Sequence, residues 1–290
     1  MDDFRFGDRL FFVKRDDLTD PRYSGNKFRK LTSLLTTPPN RYSTIVSYGG
    51  TQSNAMLSIA FLAQAKGWDF HYYCKTIPAW LKAEPIGNLK VALDLGMRVH
   101  ELSPSDFYER VETLRKISGG DALFVPQGGA DPIAESGVKI LAEEILAWCE
   151  EKGVEQLTVA TPSGTGTTAY YLRKYLPRRI TVVTTPVVGD EATLLNQWKR
   201  LEPDATCYPE ILNATGKWPF AKPKLEYYAI WKRLKEAGIE FDLIYAPKMW
   251  LEILEANETL ISPILYVHSG GVSGNTSQLE NYRYRGLLDG

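Results

Sequence analysis

Between residues 44 and 184 the chain alternates short apolar runs with longer stretches of helical period, and this alternation limits the folds open to it. Residues 44–47, 70–74, 99–102, 122–125, 157–160 and 180–184 read as buried strands. Between them, 54–66, 85–95, 107–117, 133–151 and 167–175 repeat apolar residues at helical spacing, with Gly67 and Gly96 as stops. Strands joined through helices imply mainly parallel sheets with helices on their faces, an α/β architecture. The run of strands is long enough to divide into two sheets. Outside this core, 10–15 reads as a strand, 26–35 as a helix capped by Asn26, and 191–200, 225–237 and 249–256 as helices. A strand at 264–267 follows them, while 203–223 is rich in proline and aromatics and shows no period.

Bulk composition removes several function classes. The 290 residues are 44% apolar and 24% charged with a net charge of -1, so neither nucleic acid nor an anionic membrane surface has electrostatic support. No apolar run approaches a membrane span. Met1-Asp2-Asp3-Phe4-Arg5 lacks the basic-then-apolar pattern of a secretory leader. Cys74, Cys149 and Cys207 are widely spaced, and His71, His100 and His268 show no metal-ligand spacing. A reducing cytoplasm and a site without metal are the expectations.

Three stretches can bear chemistry. Ser163-Gly164-Thr165-Gly166-Thr167-Thr168 follows a strand and opens a helix, where glycine backbone N–H groups, hydroxyls and the helix dipole can converge on a phosphate. No lysine follows the second glycine as in a P-loop, and the third glycine of the dinucleotide fingerprint is missing. Gly49-Gly50-Thr51-Gln52-Ser53-Asn54 also joins a strand to a helix start and could receive a carboxylate. Each of these has a plainer reading as a helix cap. The third stretch, Ser24-Gly25-Asn26-Lys27-Phe28-Arg29-Lys30-Leu31, sets Lys27 at a helix start, where the dipole disfavours a cation unless an anion lies close. A solvated lysine is the ordinary alternative.

Together these stretches resemble the pyridoxal-phosphate enzymes of the tryptophan synthase β-like fold type, and within it the 1-aminocyclopropane-1-carboxylate deaminase and D-cysteine desulfhydrase family. Lys14-Arg15-Asp16-Asp17, Gly25 to Leu31, Gly49 to Asn54, Ser163 to Thr168, Leu243 to Lys248 and His268-Ser269-Gly270-Gly271 occur in the family's order across nearly the whole chain. The resemblance implies pyridoxal 5′-phosphate as cofactor, bound as a Schiff base to Lys27, which also serves as acid and base. It implies that Asn54 bonds the cofactor's phenolic oxygen and that Ser163, Gly164, Thr165, Gly166 and Thr167 bind its phosphate. Ser53, with Thr51, Gln52 and Ala55, would hold the substrate carboxylate, and Tyr245 would stand near ring and substrate. It further implies a homodimer and two domains: a small one over 44–146, and a large cofactor-binding one over 1–43 and 147–290.

The departures from the family pattern bear on the substrate. Ala246 occupies the place where the cyclopropane deaminases have a glutamate for the pyridine nitrogen, and no tyrosine occurs between Trp218 and Phe220, where a second one is expected. Without that carboxylate the electron sink is weaker, which suits β-elimination from a small amino acid such as D-cysteine or a β-substituted alanine. True 1-aminocyclopropane-1-carboxylate deamination stays open. So does a pyridoxal-phosphate-binding protein that has lost catalysis. A nucleotide-binding α/β protein would use the phosphate loop and leave Lys27 unexplained.

Overall fold

A computed structural model of the chain describes residues 1–290 except Ser24, Ala205, Ala214, Asn257 and Gly290. Among the described residues, strands form two sheets. In chain order they are β1 (Asp2–Phe6), β2 (Arg9–Lys14), β3 (Thr44–Tyr48), β4 (Asp69–Lys75), β5 (Arg98–Leu102), β6 (Ala122–Val125), β7 (Leu157–Ala160), β8 (Ile180–Thr184), β9 (Glu210–Ile211) and β10 (Ile264–Val267). The small sheet runs β5-β4-β3-β6 and is parallel throughout. The large sheet runs β1-β2-β10-β7-β8-β9 and is parallel except for the β1–β2 hairpin.

The two sheets have separate cores. Around the small one, Ile45, Phe70 and Tyr72 meet the Asn54–Lys66 helix through Met56, Ile59 and Leu62. Around the large one, the Glu135–Lys152 helix buries Val138, Leu141, Ala142, Ile145, Trp148 and Cys149, a stripe at helical spacing, and stops at Gly153 in a left-handed conformation. Each such aliphatic side chain contributes about 1.5–3 kcal/mol on burial. Packing crosses the chain ranges given above. Tyr23, Leu31 and Leu34 join the small sheet's core, whereas the whole Glu135–Lys152 helix joins the large sheet's.

The expected helix over 26–35 is broken at Leu31 into Asn26–Lys30 and Thr32–Thr36. Its cap also differs from expectation. Gly25 takes the N-cap position, because its backbone passes the Ser269 carbonyl so closely that a Cβ would lie 2.3 Å from the oxygen. Asn26 becomes the first helical residue, and its backbone N–H donates to the Ser269 carbonyl at 3.0 Å. The helix is therefore fixed to the loop that leaves β10. A buried ion cluster fixes its other face: Arg29 grips Asp16 (2.9 Å) and Glu144 (2.7 Å), and Lys14 bonds Asp16 (2.7 Å). The Lys14-Arg15-Asp16-Asp17 stretch thus holds the Lys27 helix between the large sheet and the Glu135–Lys152 helix.

Candidate active site

Lys27 stands on the first turn of the clamped helix, and its Nζ donates to Asn26 Oδ1 at 2.7 Å. Burial pulls its amine down from 10.5 to about 8, and the Asp242 carboxylate opposes that shift. Ser24, the first residue of the same stretch, lies outside the described residues. One turn further on, Lys30 is buried, and its Nζ donates to the Gly128 carbonyl at 3.0 Å and lies 3.5 Å from Thr165 Oγ1. Burial, reinforced by the charge on Lys27, pushes the Lys30 amine well below its ordinary value. No carboxylate pairs with Lys30 among the described residues.

The Gly-rich loop lies between β7 and the Thr167–Tyr175 helix. Its base is sewn to the next strand: the Ser163 N–H donates to the Thr185 carbonyl (3.0 Å), and the Ser163 carbonyl accepts from Val187 (2.8 Å). Thr184 Oγ1 donates to the Thr161 carbonyl, so the 2.6 Å contact between the two hydroxyls has Ser163 Oγ as its donor. Ser163 therefore anchors the loop, with its N–H and hydroxyl proton already committed. Thr165 and Thr167 share a hydroxyl contact of 3.0 Å, and Thr168 Oγ1 is buried with no partner among the described residues. The Tyr245 ring lies against Gly164, where a Cβ would come within 3.2 Å of it. Phe220 meets that ring edge-on at 5.8 Å between centroids. The apolar Phe220 therefore occupies the region where a second tyrosine was expected.

The other glycine turn, Gly49 to Asn54, leads into the Asn54–Lys66 helix. Ser53 caps this helix, accepting from the Met56 N–H at 3.3 Å. The N–H groups of Asn54 and Ala55 open the helix and have no acceptor within it. The Gln52 side chain is turned away onto the 86–88 segment, donating to the Ile86 carbonyl (3.1 Å) and accepting from the Asn88 N–H (2.9 Å). Thr51 is partly buried in the same turn. Asn54 Oδ1 accepts from Asn88 Nδ2 at 2.9 Å.

Asp242 completes the surroundings of Lys27. It accepts N–H bonds from Ile244 (3.1 Å), Tyr245 (2.5 Å) and Ala246 (3.3 Å), which open the Ala246–Ala256 helix, while burial raises its pKa. The same buried carboxylate, after burial itself, raises the pKa of the Tyr245 phenol. Ala246 is fully buried and brings no polar side chain. Ser269 Oγ, beside Gly25, is buried with no partner among the described residues.

Lys30, Asn88 and Asp242 carry no mark in the sequence reading. Lys30 sits in a run of basic residues; it is buried like Arg29, and what separates the two is that Arg29 pairs with Asp16 and Glu144 whereas Lys30 meets no carboxylate among the described residues. Asn88 lies in an unremarkable helix start, and Asp242 resembles an ordinary acidic cap.

Two features of the chain itself fit a phosphate-bearing aldehyde. A dianion between Lys30 and the loop would favour the charged form of the buried Lys30 amine and supply an acceptor for Thr168 Oγ1. An amine near neutrality one turn away is suited to bond a carbonyl carbon.

Fold and site together define an enzyme that works with pyridoxal phosphate in the tryptophan synthase β-like fold. Residues 4–206 match the family described as pyridoxal-phosphate dependent enzyme, and the chain belongs to that family. Its relatives are more particular. A Thermotoga maritima protein provisionally named 1-aminocyclopropane-1-carboxylate deaminase is 27% identical over 92% of this chain and 90% of its own length. The Klebsiella pneumoniae D-cysteine desulfhydrase is 26% identical over 91% and 87%. An Arabidopsis thaliana mitochondrial enzyme named for both activities is 25% identical over 91% and 72%. Among solved structures, one described as an ACC deaminase homologue superposes with a TM-score of 0.77 at 24% identity, over 94% of this chain and 89% of that one. It supports the fold.

Proposed function

We propose that the enzyme breaks down a small amino acid to an oxoacid and ammonia, with D-cysteine or a β-substituted alanine favoured over the cyclopropane substrate. The observation that carries the reading is the Lys27–Lys30 pair: an amine lowered to about 8, one turn from a buried lysine that has no carboxylate partner among the described residues and reaches the Gly-rich loop. Bound pyridoxal phosphate supplies an electron sink for negative charge on the substrate Cα. Lys27 Nζ holds the cofactor's aldehyde carbon and, as a free amine, accepts the Cα proton. Lys30, Thr165, Thr167 and the N–H groups of Gly164 and Gly166 hold the phosphate, on a loop that Ser163 anchors. Asn54 donates to the ring oxygen. The Ser53 hydroxyl and the N–H groups of Asn54 and Ala55 hold the substrate carboxylate, within a turn shaped by Thr51 and Gln52. Tyr245 would stand near ring and substrate.

Ala246 argues for elimination. It offers the ring nitrogen no charge, and the nearby carboxylate of Asp242 is engaged by three backbone donors. Ser269 or Ser273 would supply the missing contact to that nitrogen: Ser273 is bonded to Asn88, whereas Ser269 Oγ has no partner among the described residues. We also read the enzyme as a cytoplasmic homodimer. Its two domains would be centred on the two sheets, 44–146 against the remainder, with edges blurred by the packing of Leu31 and of the Glu135–Lys152 helix. Light scattering in solution should give twice the chain's mass.

The chemistry is tested with a panel of D- and L-amino acids scored for oxoacid, ammonia and sulfide. D-cysteine should give all three in equal amounts. Brisk 2-oxobutanoate release from 1-aminocyclopropane-1-carboxylate would reverse the substrate preference, and no turnover at all would leave a cofactor-binding relic. Borohydride should fix the cofactor to the Lys27 peptide, and a label elsewhere would refute the lysine's role.

A further inference from the structure

We propose that Asn88 is the positioning residue that decides which end of the Asn54 amide faces the cofactor ring, and that Ser273 ties this choice to the large sheet. The proposal rests on the reading above and deepens it. Asn88 lies on the Gly87–Asp94 helix and is 2% exposed. Its Nδ2 donates to the Gln52 carbonyl (3.1 Å) and to Asn54 Oδ1 (2.9 Å). Its backbone N–H donates to Gln52 Oε1 (2.9 Å), and its Oδ1 accepts from Ser273 Oγ (3.2 Å). Gly87 makes the approach possible, since a Cβ there would lie 2.5 Å from Gln52 Oε1. Both side-chain donors of Asn88 are thus spent on the Gly49–Asn54 turn, and its carbonyl oxygen is spent on the loop after β10.

An amide offers a donor end and an acceptor end, and a half-turn about its last torsion exchanges them. With Oδ1 of Asn54 bound by Asn88, Nδ2 is the end left over, and it has no acceptor among the described residues. That end suits a negatively charged phenolic oxygen. Reversed, the same amide would set a carbonyl oxygen against that oxygen and repel it. Asn88 excludes the reversed state because it has only N–H groups to offer there. Ser273, on the loop after β10 of the large sheet, holds Asn88 on the small sheet's side, so the orientation is complete only when the two sheets' units are seated together.

The test is Asn88→Asp in the full-length holoenzyme. The introduced carboxylate can still accept from Ser273, but it presents acceptors to Asn54 and turns the amide round. The readout is the pH midpoint of the cofactor's visible band, together with the dissociation constant for pyridoxal phosphate. Losing the donor leaves more negative charge on the ring oxygen. The proton on the neighbouring Lys27 nitrogen is then held more tightly, and the midpoint rises. Affinity should fall roughly tenfold, the size of one hydrogen bond to a charged group. Asn54→Ala should move the midpoint the same way, and the double variant no further than either single, because one contact is removed in both. A normal wild-type band with an unmoved midpoint in Asn88→Asp, or additive shifts in the double variant, overturns this inference alone. A wild-type protein that shows no band with pyridoxal phosphate overturns the parent reading as well. Should Asn88→Asp fail to fold, Ser273→Ala on its exposed turn takes its place, with a smaller rise expected and an unmoved midpoint as the refutation.

Discussion

At the scale of single residues, the two lysines of one helical turn have opposite requirements. Folding lowers the Lys27 pKa from 10.5 to about 8, so between those values the unfolded chain binds more protons than the native one. Below about 8 both states carry the charge and its burial destabilises the fold, and above 10.5 neither state does. Cofactor-free wild type should therefore gain stability relative to Lys27→Met as pH rises from 8 to 10.5, measured by urea unfolding of both at each pH. Lys30 separates stability from binding. Lys30→Met removes a buried amine that has no carboxylate partner among the described residues, so cofactor-free thermal stability should hold or rise. The affinity for pyridoxal phosphate should fall about 10- to 100-fold by spectrophotometric titration. Lys27 was legible because its Asn-Lys and Gln-Ser-Asn companions form a pattern. Lys30 was not, since adjacent basic residues look alike until their partners distinguish them: carboxylates for Arg29, the Gly128 carbonyl and the Gly-rich loop for Lys30.

At the scale of elements, the Lys27 helix is too short to be stable alone and depends on what clamps it. Asp16 and Arg29 are almost wholly buried, and removing one partner of such a pair leaves an uncompensated charge. Asp16→Ala should cost about 3–5 kcal/mol in urea unfolding. Gly137→Ala tests the other wall, because its Cβ would lie 1.8 Å from the Arg29 carbonyl oxygen. It should weaken cofactor binding by displacing the Lys27 helix from the Gly-rich loop. The sequence revealed elements wherever burial is apolar and periodic, as in the Glu135–Lys152 helix. It hid the Asn275–Tyr284 helix, whose buried face consists of Asn275, Gln278 and Tyr282 and so presents no hydrophobic stripe. β1 was hidden too, for Phe4 and Phe6 alternate inward among charged neighbours over a span too short to stand out.

At the scale of the whole molecule, a ligand held by residues from several elements stabilises all of them together. Free pyridoxal phosphate at 100 times its dissociation constant should add about 2.7 kcal/mol to unfolding stability, and pyridoxal lacking the phosphate should add much less at equal concentration. Equal effects would remove the loop's claim to the phosphate. The parallel architecture was readable from the alternation, but the strand order was not, because long-range pairing leaves no local trace. That order has a consequence for how the protein is made. β10, later in the chain than every other strand described, lies between β2 and β7 and bonds to both. During synthesis these two earlier strands wait as open edges with the space between them unfilled, and Asn26 waits for the Ser269 carbonyl that fixes its helix. A nascent chain is thus without a working centre until residues 264–269 are threaded into the middle of what came before.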